Sequence, residues 1–206
     1  MEAVTTTQPP RRRRRSPQEA EREIITAAES LLRERPFREL TVDEVMRRTG
    51  LSRPSFYVYF RDRHHLVLRV VEHIGGELFT MSNRWFEGDD APGPDRVRAA
   101  LQGVVEIYEL HGPVMKALAD AAADDPDVER VYADFVEGFV VAAARHIDEE
   151  IAAGHVPPMD ARHVAEALVW MNERFLNAHL GRERTASAEV VAETLTGIWS
   201  RTIYGV

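Results

Sequence analysis

Residues 41–66 read TVDEVMRRTGLSRPSFYVYFRDRHHL, and this stretch contains two short helical patterns separated by a glycine. Thr41 and Glu44 have the spacing of a capping box, which predicts that a helix begins at Thr41. Gly50 suits the left-handed conformation that ends many helices, so this helix is expected to stop there. A second short helix begins at Ser52 and runs to about residue 60. Two short helices joined by a glycine-containing turn predict a helix-turn-helix.

The segments on either side are also predicted to be helical. Ser16, Pro17 and Glu19 predict a capped helix start, and Arg35-Pro36 ends the apolar periodicity that follows. A long helix is expected over residues 62–86. Further breaks are predicted where glycine, proline and aspartate gather, at residues 88–94, 112–113, 124–126, 154–158 and 181–187. No segment alternates like a strand, so the predicted fold class is all-α, with a three-helix head followed by a body of about six helices.

The charge of the chain divides along its length. The net charge is −8, yet residues 1–70 contain fifteen cationic and ten acidic side chains, whereas the rest of the chain contains eleven and twenty-four. Five of the cations form the run Arg11–Arg15, which predicts a disordered basic arm over residues 1–15. Without this run the head is neutral, so the charge pattern alone also fits chance. We expect a helix-turn-helix DNA-binding domain over residues 16–61 and a helical body over residues 62–206.

The composition disfavours several classes of protein. The chain has no cysteine, so neither disulfides nor thiolate chemistry is available to it. Its eight histidines lack metal-ligand spacing, and no nucleophile–base or phosphate-loop pattern occurs, so we expect no metal, no cofactor and no enzymatic activity. No apolar run approaches the roughly 18 residues that a membrane span needs, and a cytoplasmic protein is the expectation. The acidic run Asp148–Glu150 is expected to lie on a solvated helix face.

The aromatic residues of the second short helix fall on two faces. At about 100° per residue, Phe56 and Phe60 stack on one side and are expected to pack against the preceding helices. Tyr57 faces the other side, and Arg53 and Ser55 would point into a major groove that this helix entered. The pattern fits equally well a small helical core whose tyrosines are ordinary amphipathic surface residues.

The stretch from Thr41 to Leu66 resembles the DNA-binding signature of the TetR family of transcriptional repressors. In that family a helix-turn-helix head binds operator DNA, and a helical body forms a dimer and binds a small molecule. The resemblance implies seven DNA-contacting residues: Thr41, Arg53, Pro54, Ser55, Tyr57, Tyr59 and Arg63. Of these, Thr41, Tyr59 and Arg63 would contact phosphates, and the others would lie at or near base edges. Arg63 stands where the family usually has a phosphate-binding lysine. Pro54 and Tyr59 depart from the family's frequent glycine and histidine, and these two departures leave the operator sequence unspecified.

The C-terminal half resembles the EthR-type subgroup of this family, through MNER at residues 171–174 and IWSRTIYG at residues 198–205. That subgroup has a long apolar tube for its effector. The resemblance implies that eight residues line it here: Val97, Val104, Tyr108, Tyr132, Phe135, Phe139, Asn172 and Trp199. The expected effector is an apolar small molecule that releases the protein from a palindromic operator, and Asn172 would offer it both a donor and an acceptor.

The last two predicted helices, residues 161–180 and 188–204, are apolar on more than one face. A helix with this pattern can cover its own core and also a partner, which predicts a homodimer through these two helices. Two alternative functions remain open. A regulator with a filled core would bind DNA or a protein partner without a small-molecule effector, and an enzyme on a helical scaffold would use the tube as a substrate site.

Overall fold

The computed structural model describes residues 15–83 and 93–206, with the backbone alone at residue 73 and at residues 75–83. Within these ranges the chain forms eight α-helices and no strand, so the all-α prediction is confirmed. The helices are α1 (Pro17–Glu34), α2 (Val42–Thr49), α3 (Arg53–Tyr59), α4 (Arg63–Asn83), α5 (Gly93–Ala122), α6 (Pro126–Ala152), α7 (Ala161–His179) and α8 (Ala188–Tyr204), with a 3-10 turn at Phe37–Glu39. The predicted basic arm, apart from Arg15, lies outside the described residues, as does the predicted helix end near residue 86.

The start of α1 carries the predicted capping box. The Glu19 amide donates to the Ser16 hydroxyl at 3.1 Å, and the Ser16 amide donates to the Glu19 carboxylate at 2.7 Å. The box predicted for α2 is only half formed. The Glu44 amide donates to the Thr41 hydroxyl at 3.3 Å, but the Glu44 carboxylate binds the Arg35 guanidinium and the Thr41 hydroxyl instead. A charged donor competes well for the carboxylate because charge-assisted hydrogen bonds are the stronger ones.

The turn between α2 and α3 is built as predicted. Gly50 adopts a φ of 65°, in the left-handed region that favours glycine, and it ends α2. The buried Thr49 hydroxyl donates to the Met46 carbonyl at 2.9 Å and accepts from the Leu51 amide at 3.1 Å. These bonds hold the chain through the turn so that α3 begins at a defined angle to α2.

The break predicted at residues 112–113 is wrong, because α5 continues through both residues. Pro113 has no N–H, so the Glu109 carbonyl lacks its usual donor within the helix. The Arg184 guanidinium donates to this carbonyl at 2.7 Å, and the Arg33 guanidinium donates to the next one. Side chains from distant parts of the chain therefore stabilise a helix that the local signals would end.

Position 112 of this helix requires a glycine, because the loop between α7 and α8 passes very close to its backbone. A Cβ at this position would lie 1.8 Å from the Leu180 carbonyl oxygen, so no larger residue fits without movement of the loop between α7 and α8.

Because α5 is uninterrupted, the described part of the body has fewer helices than predicted. The described residues of the body contain five helices, α4 to α8, and not about six.

The head and the body are joined by direct contacts. α5 packs against α4, α6 and α8, while α6 pairs with α7. α1 packs against α2 and also reaches α4 and α5 of the body. From the loop between α7 and α8, Arg182 donates to the Leu32 carbonyl of α1 at 3.2 Å. None of the helices within the described ranges is long and apolar enough to cross a membrane.

One member of the acidic run that was expected to be solvated is buried. Glu150 is 5% exposed, and its carboxylate accepts a hydrogen bond at 2.6 Å from Arg96 on α5. Asp148 and Glu149 are exposed, as expected. The helical pattern of α6 alone could not reveal the burial of Glu150, because its cationic partner lies 54 residues away.

Candidate DNA-binding surface and ligand cavity

α3 has one buried face and one exposed face. Phe56 and Phe60 are buried in the core of the head, with ring centroids 5.2 Å apart. On the opposite side, Tyr57 is 52% exposed and Val58 is 74% exposed. This agrees with the predicted rotation of the helix. Because two large rings are anchored in the core, the side chains of the other face are held outward.

The residues predicted to lie at base edges are found near this exposed face. Arg53 and Pro54 are exposed, whereas Ser55 is half-buried, with its hydroxyl 2.8 Å from that of Ser52. The Arg53 guanidinium donates to the Asp43 carboxylate of α2 at 3.0 Å. This ion pair holds the arginine across the turn. Arg53 must release at least part of the ion pair to bind a base edge.

The residues predicted to contact phosphates have different surroundings. Thr41 is exposed at the start of α2, where free amides and the helix dipole favour an anion. Tyr59 is half-buried against Phe60. The Arg63 guanidinium lies 4.8 Å from the centroid of the Phe37 ring and donates to the carbonyls of residues 38 and 40 at 3.3 and 3.5 Å. Arg63 therefore also stabilises the segment before α2, a role that sequence reasoning missed.

Val58 is a further candidate that sequence reasoning did not select. The helical wheel places it on the outer side of α3, and the structure exposes it beside Tyr57. A large apolar side chain in this position is suited to contact with a thymine methyl group in a major groove. Its place on the outer side of the helical wheel, next to Tyr57, is the signal that could have identified it.

All eight residues predicted to line a ligand tube surround one cavity of about 100 Å³ in the body. They are joined by mostly apolar side chains from α5, α6 and α7: Ala100, Leu101, Met115, Val136, Ala143, Val169, Glu173 and Leu176. An apolar cavity of about 150 Å³ takes a molecule the size of benzene, so this cavity must widen to accept a ligand of that size or larger. The space is not packed solid, which disfavours the alternative with a filled core.

Phe135 and Phe139 on α6 form a wall between this cavity and a second hollow. Both side chains also line the second hollow, which has a volume of about 250 Å³ and includes Leu68 and Val71 of α4. The two rings meet edge to face, with centroids 5.1 Å apart, and both are half-buried. A movement or substitution of either ring would therefore alter the packing both in the cavity and in the hollow beside α4.

Asn172 has less free hydrogen-bonding capacity than predicted. Its Oδ1 accepts a hydrogen bond from the Trp199 indole N–H at 3.0 Å. The amide is thereby oriented, because the indole nitrogen can only donate. The Asn172 amide NH₂ is the group that remains suited to a ligand, so the prediction that both a donor and an acceptor are offered is only partly met.

Glu173 lines the cavity and was missed from the sequence. Its Oε1 accepts hydrogen bonds from the Tyr132 hydroxyl and, at 2.6 Å, from the Asn177 amide one helical turn away. Burial, and after it the negative charge of Glu173, raises the pKa of Tyr108. Burial and then the hydrogen bond to Glu173 raise the pKa of Tyr132. Both phenols therefore stay neutral at ordinary pH. The motif MNER contained this residue, but a charged residue on a helix is usually assigned to the solvent side.

The outer surfaces of α7 and α8 leave apolar side chains uncovered. Val190 is 54% exposed and Ile198 is 36% exposed on α8. On α7, exposed or half-buried side chains recur at helical spacing, namely Ala167, Met171, Phe175 and Ala178. These six residues, called the α7–α8 face below, lie on the two helices predicted to form the dimer contact.

In the part of the chain that the structure describes, no group of three or more His, Cys, Asp or Glu is arranged to hold a metal ion.

Comparison with known proteins agrees with this geometry. Residues 97–205 match the family model of the transcriptional regulator EthR, C-terminal domain, and residues 24–70 match that of bacterial regulatory proteins, tetR family. The chain belongs to the TetR family, within its EthR-type branch. Its relatives include the HTH-type transcriptional regulator EthR of Mycobacterium tuberculosis H37Rv, 30% identical over 193 residues that cover 92% of this chain and 89% of the relative. EthR of Mycolicibacterium smegmatis is 28% identical over 192 residues, covering 92% and 88%.

Solved structures share the TetR fold. A transcriptional regulator from Pseudomonas aeruginosa PAO1 superposes with a TM-score of 0.75 at 14% identity, covering 92% of each chain. A regulator from Saccharomonospora viridis, solved in complex with choline, gives a TM-score of 0.72 at 17% identity, covering 90% of this chain and 98% of that one. The relatives are named as transcriptional regulators and not as enzymes, so the protein is a DNA-binding regulator and the enzyme alternative is dropped.

Proposed function

We propose that this TetR-family regulator is a homodimeric repressor that a small, mainly apolar molecule releases from a palindromic operator. The observation that carries the proposal is the cavity in the body, which all eight residues expected from the sequence surround. A cavity with a mostly apolar lining and a few convergent polar groups is the usual form of a small-molecule site. The choline complex of the regulator from Saccharomonospora viridis supports binding of a small molecule by a protein of this fold.

In the proposed complex, α3 enters the major groove with its exposed face toward the bases. Arg53, Pro54, Ser55 and Tyr57 lie at or near base edges, while Thr41, Tyr59 and Arg63 contact phosphates. Support comes from the burial of Phe56 and Phe60, which leaves the opposite face of α3 free. Phosphate contacts supply most of the affinity and base contacts supply the discrimination.

The proposed dimer forms through the α7–α8 face, so that two heads read the two halves of a palindrome. One short helix contacts only a few base pairs, and two heads about one helical turn of DNA apart double the site that is read. Support comes from the uncovered apolar side chains on both helices, which a partner with the same face would bury.

The proposed release depends on coupling between the cavity and α4. Only residues 60–62 separate α3 from α4, so a tilt of α4 moves the recognition helix. Phe135 and Phe139 line both the effector cavity and the hollow beside α4, so a ligand that shifts these rings would alter the packing of α4. The effector must bind the released conformation more tightly, because equal affinity for both conformations shifts nothing.

A filled cavity provides the test. Ala143 is buried and lines the cavity, so Ala143→Phe occupies the space with the protein's own ring. We expect this variant to lose small-molecule binding and either to release the DNA that flanks its own gene or to hold it without response, measured by mobility shift. Val141→Phe, at an exposed position of the same helix, is the matched control and should behave like the wild-type protein. An Ala143→Phe protein that folds and still responds to the same ligands would exclude the cavity as the effector site.

A further inference from the structure

Within the residues that the structure describes, the carboxylate that lines the cavity has no cationic partner. Both hydrogen bonds to Glu173 end on Oε1, from the Tyr132 hydroxyl and from Asn177. Across residues 15–83 and 93–206, no Lys, Arg or His side chain pairs with Glu173, and no side chain donates to its Oε2. A charged group held among apolar side chains is costly unless a charge of the opposite sign joins it.

A second acceptor lies beside this carboxylate. Asn177 is 5% exposed, and its Oδ1 has no hydrogen-bond partner in the described part of the chain. Its amide NH₂ is already used by Glu173. The neighbouring Tyr132 hydroxyl gives its proton to Glu173, and the Tyr108 hydroxyl also lies beside Asn177, so the Asn177 Oδ1 and the Glu173 Oε2 are the acceptors left for a ligand at this end of the cavity. Buried acceptors are normally satisfied, and a ligand that carries N–H donors would satisfy them.

The aromatic side chains around the carboxylate favour the same kind of ligand. Tyr132 meets Trp170 edge to face at 6.3 Å, and Phe135 and Phe139 continue the aromatic surface along α6. Ring faces attract a cation within about 6 Å of the centroid, and more strongly where water is excluded. A neutral apolar ligand would fill the cavity but would leave the charge of Glu173 without a partner.

We propose that the effector of this protein is a protonated amine with an apolar body, whose ammonium group pairs with Glu173. The apolar remainder would lie along the wall formed by Phe135 and Phe139. This inference rests on the proposed function, because it names the chemical class of the ligand that would occupy the cavity. It makes Glu173 a specificity-determining residue, one that selects the charge of the ligand.

The test uses probes of matched shape and different charge. Benzylamine is compared with benzyl alcohol, and hexylamine with hexanol, by calorimetry and by quenching of tryptophan fluorescence in the full-length protein. Glu173→Gln keeps an acceptor for Tyr132 and Asn177 but removes the charge. Glu193→Gln removes one negative charge from the exposed surface of α8 and serves as the matched control. Each probe is also tested for release of the DNA that flanks the gene.

We expect each amine to bind the wild-type protein at least about tenfold more tightly than its alcohol, since a hydrogen bond between charged groups exceeds a neutral one by that much. Glu173→Gln should abolish this preference, whereas Glu193→Gln should keep it. Alcohols that bind as tightly as the amines, or a preference that survives in Glu173→Gln, would overturn the amine proposal and leave the cavity as an effector site. If no probe of either kind binds or alters the DNA complex, the ligand-responsive function itself fails, and the inference with it.

Discussion

At the scale of single residues, two arginines of the head are predicted to act on DNA by different means. Arg53 lies at the start of α3 and is held by an exposed ion pair with Asp43, with the Tyr57 hydroxyl beside it. Arg63 is more firmly held, because its guanidinium stacks on Phe37 and donates to two carbonyls before α2. Arg53 is therefore predicted to reach base edges, and Arg63 is predicted to contact a phosphate while it also stabilises the head.

Arg53→Ala should reduce discrimination between the operator and random duplex by roughly 1–3 kcal/mol, the usual contribution of a bidentate contact to guanine. Arg63→Ala should weaken binding to both DNAs alike and lower the salt slope by about one. It should also lower the stability of the head, by roughly 0.5–1 kcal/mol for the lost contact with the Phe37 ring. Mobility shifts at several salt concentrations and thermal melting measure these effects.

Arg63→Lys is the control for Arg63→Ala, because lysine keeps the positive charge and loses the planar donor group. It should retain most of the salt slope. An Arg63→Ala protein with an unchanged salt slope would show that this side chain acts on the fold alone.

At the scale of elements, α5 depends on contacts that are remote in sequence. The Glu109 carbonyl is bound by Arg184, and Gly112 lies directly under the Leu180 carbonyl. The helix therefore tolerates a proline in its interior only where the loop between α7 and α8 is packed against it. Glycine positions in α5 and α6 provide a direct comparison of this effect.

Gly112→Ala should destabilise the protein, because the new Cβ would overlap the Leu180 carbonyl and displace the loop. Overpacking of this kind typically costs about 1–3 kcal/mol. Gly138→Ala, in the exposed part of α6, is the matched control, since no described atom lies within 4 Å of the new Cβ. It should raise the free energy of unfolding by about 0.5–1 kcal/mol through helix propensity. Denaturant melts measure both changes, and equal effects would contradict the close approach at Gly112.

The sequence predicted those parts of the fold that depend on neighbouring residues. The capping box at Ser16, the left-handed Gly50 and the two faces of α3 all arise within one or two turns of a helix. The predicted helix break at residues 112–113 was wrong because the continuity of α5 depends on side chains that are distant in sequence. Pro113 remains inside a helix because Arg184 satisfies the carbonyl that it leaves free.

In the candidate site too, contacts between residues distant in sequence could not be predicted. Resemblance to the EthR-type subgroup named eight cavity residues correctly as neighbours in space, although their roles stay predictions. The half-buried Glu173 and the buried Glu150 were both missed. A carboxylate on a helix is normally solvated, and only the packed structure reveals Tyr132 and Asn177 beside the first and Arg96 beside the second.

At the scale of the whole molecule, DNA binding should depend on dimer formation through the α7–α8 face. Ile198→Glu places a charge within this face and should produce monomers, measured by sedimentation. The monomers should bind the operator more than about a hundredfold more weakly, because linking two heads multiplies affinity by at least that factor. Thermal melting and helical content should confirm that the monomers are folded.

Val141→Glu is the control for this prediction, because Val141 is an exposed apolar residue on α6, outside the α7–α8 face. It should remain dimeric and bind DNA normally. A wild-type protein that sediments as a monomer at micromolar concentration would remove the two-headed mechanism.

The interior proline of α5 also has a consequence for the order in which the chain folds. The arginines that satisfy the carbonyls around Pro113 lie 77 residues before and 75 residues after the positions that they bind. Contacts between distant segments form late, because a long loop must close first. During synthesis, the middle of α5 therefore lacks this stabilising contact until the segment that carries Arg184 has left the ribosome. Amide hydrogens near Pro113 should be the last of α5 to gain protection in pulse-labelled refolding.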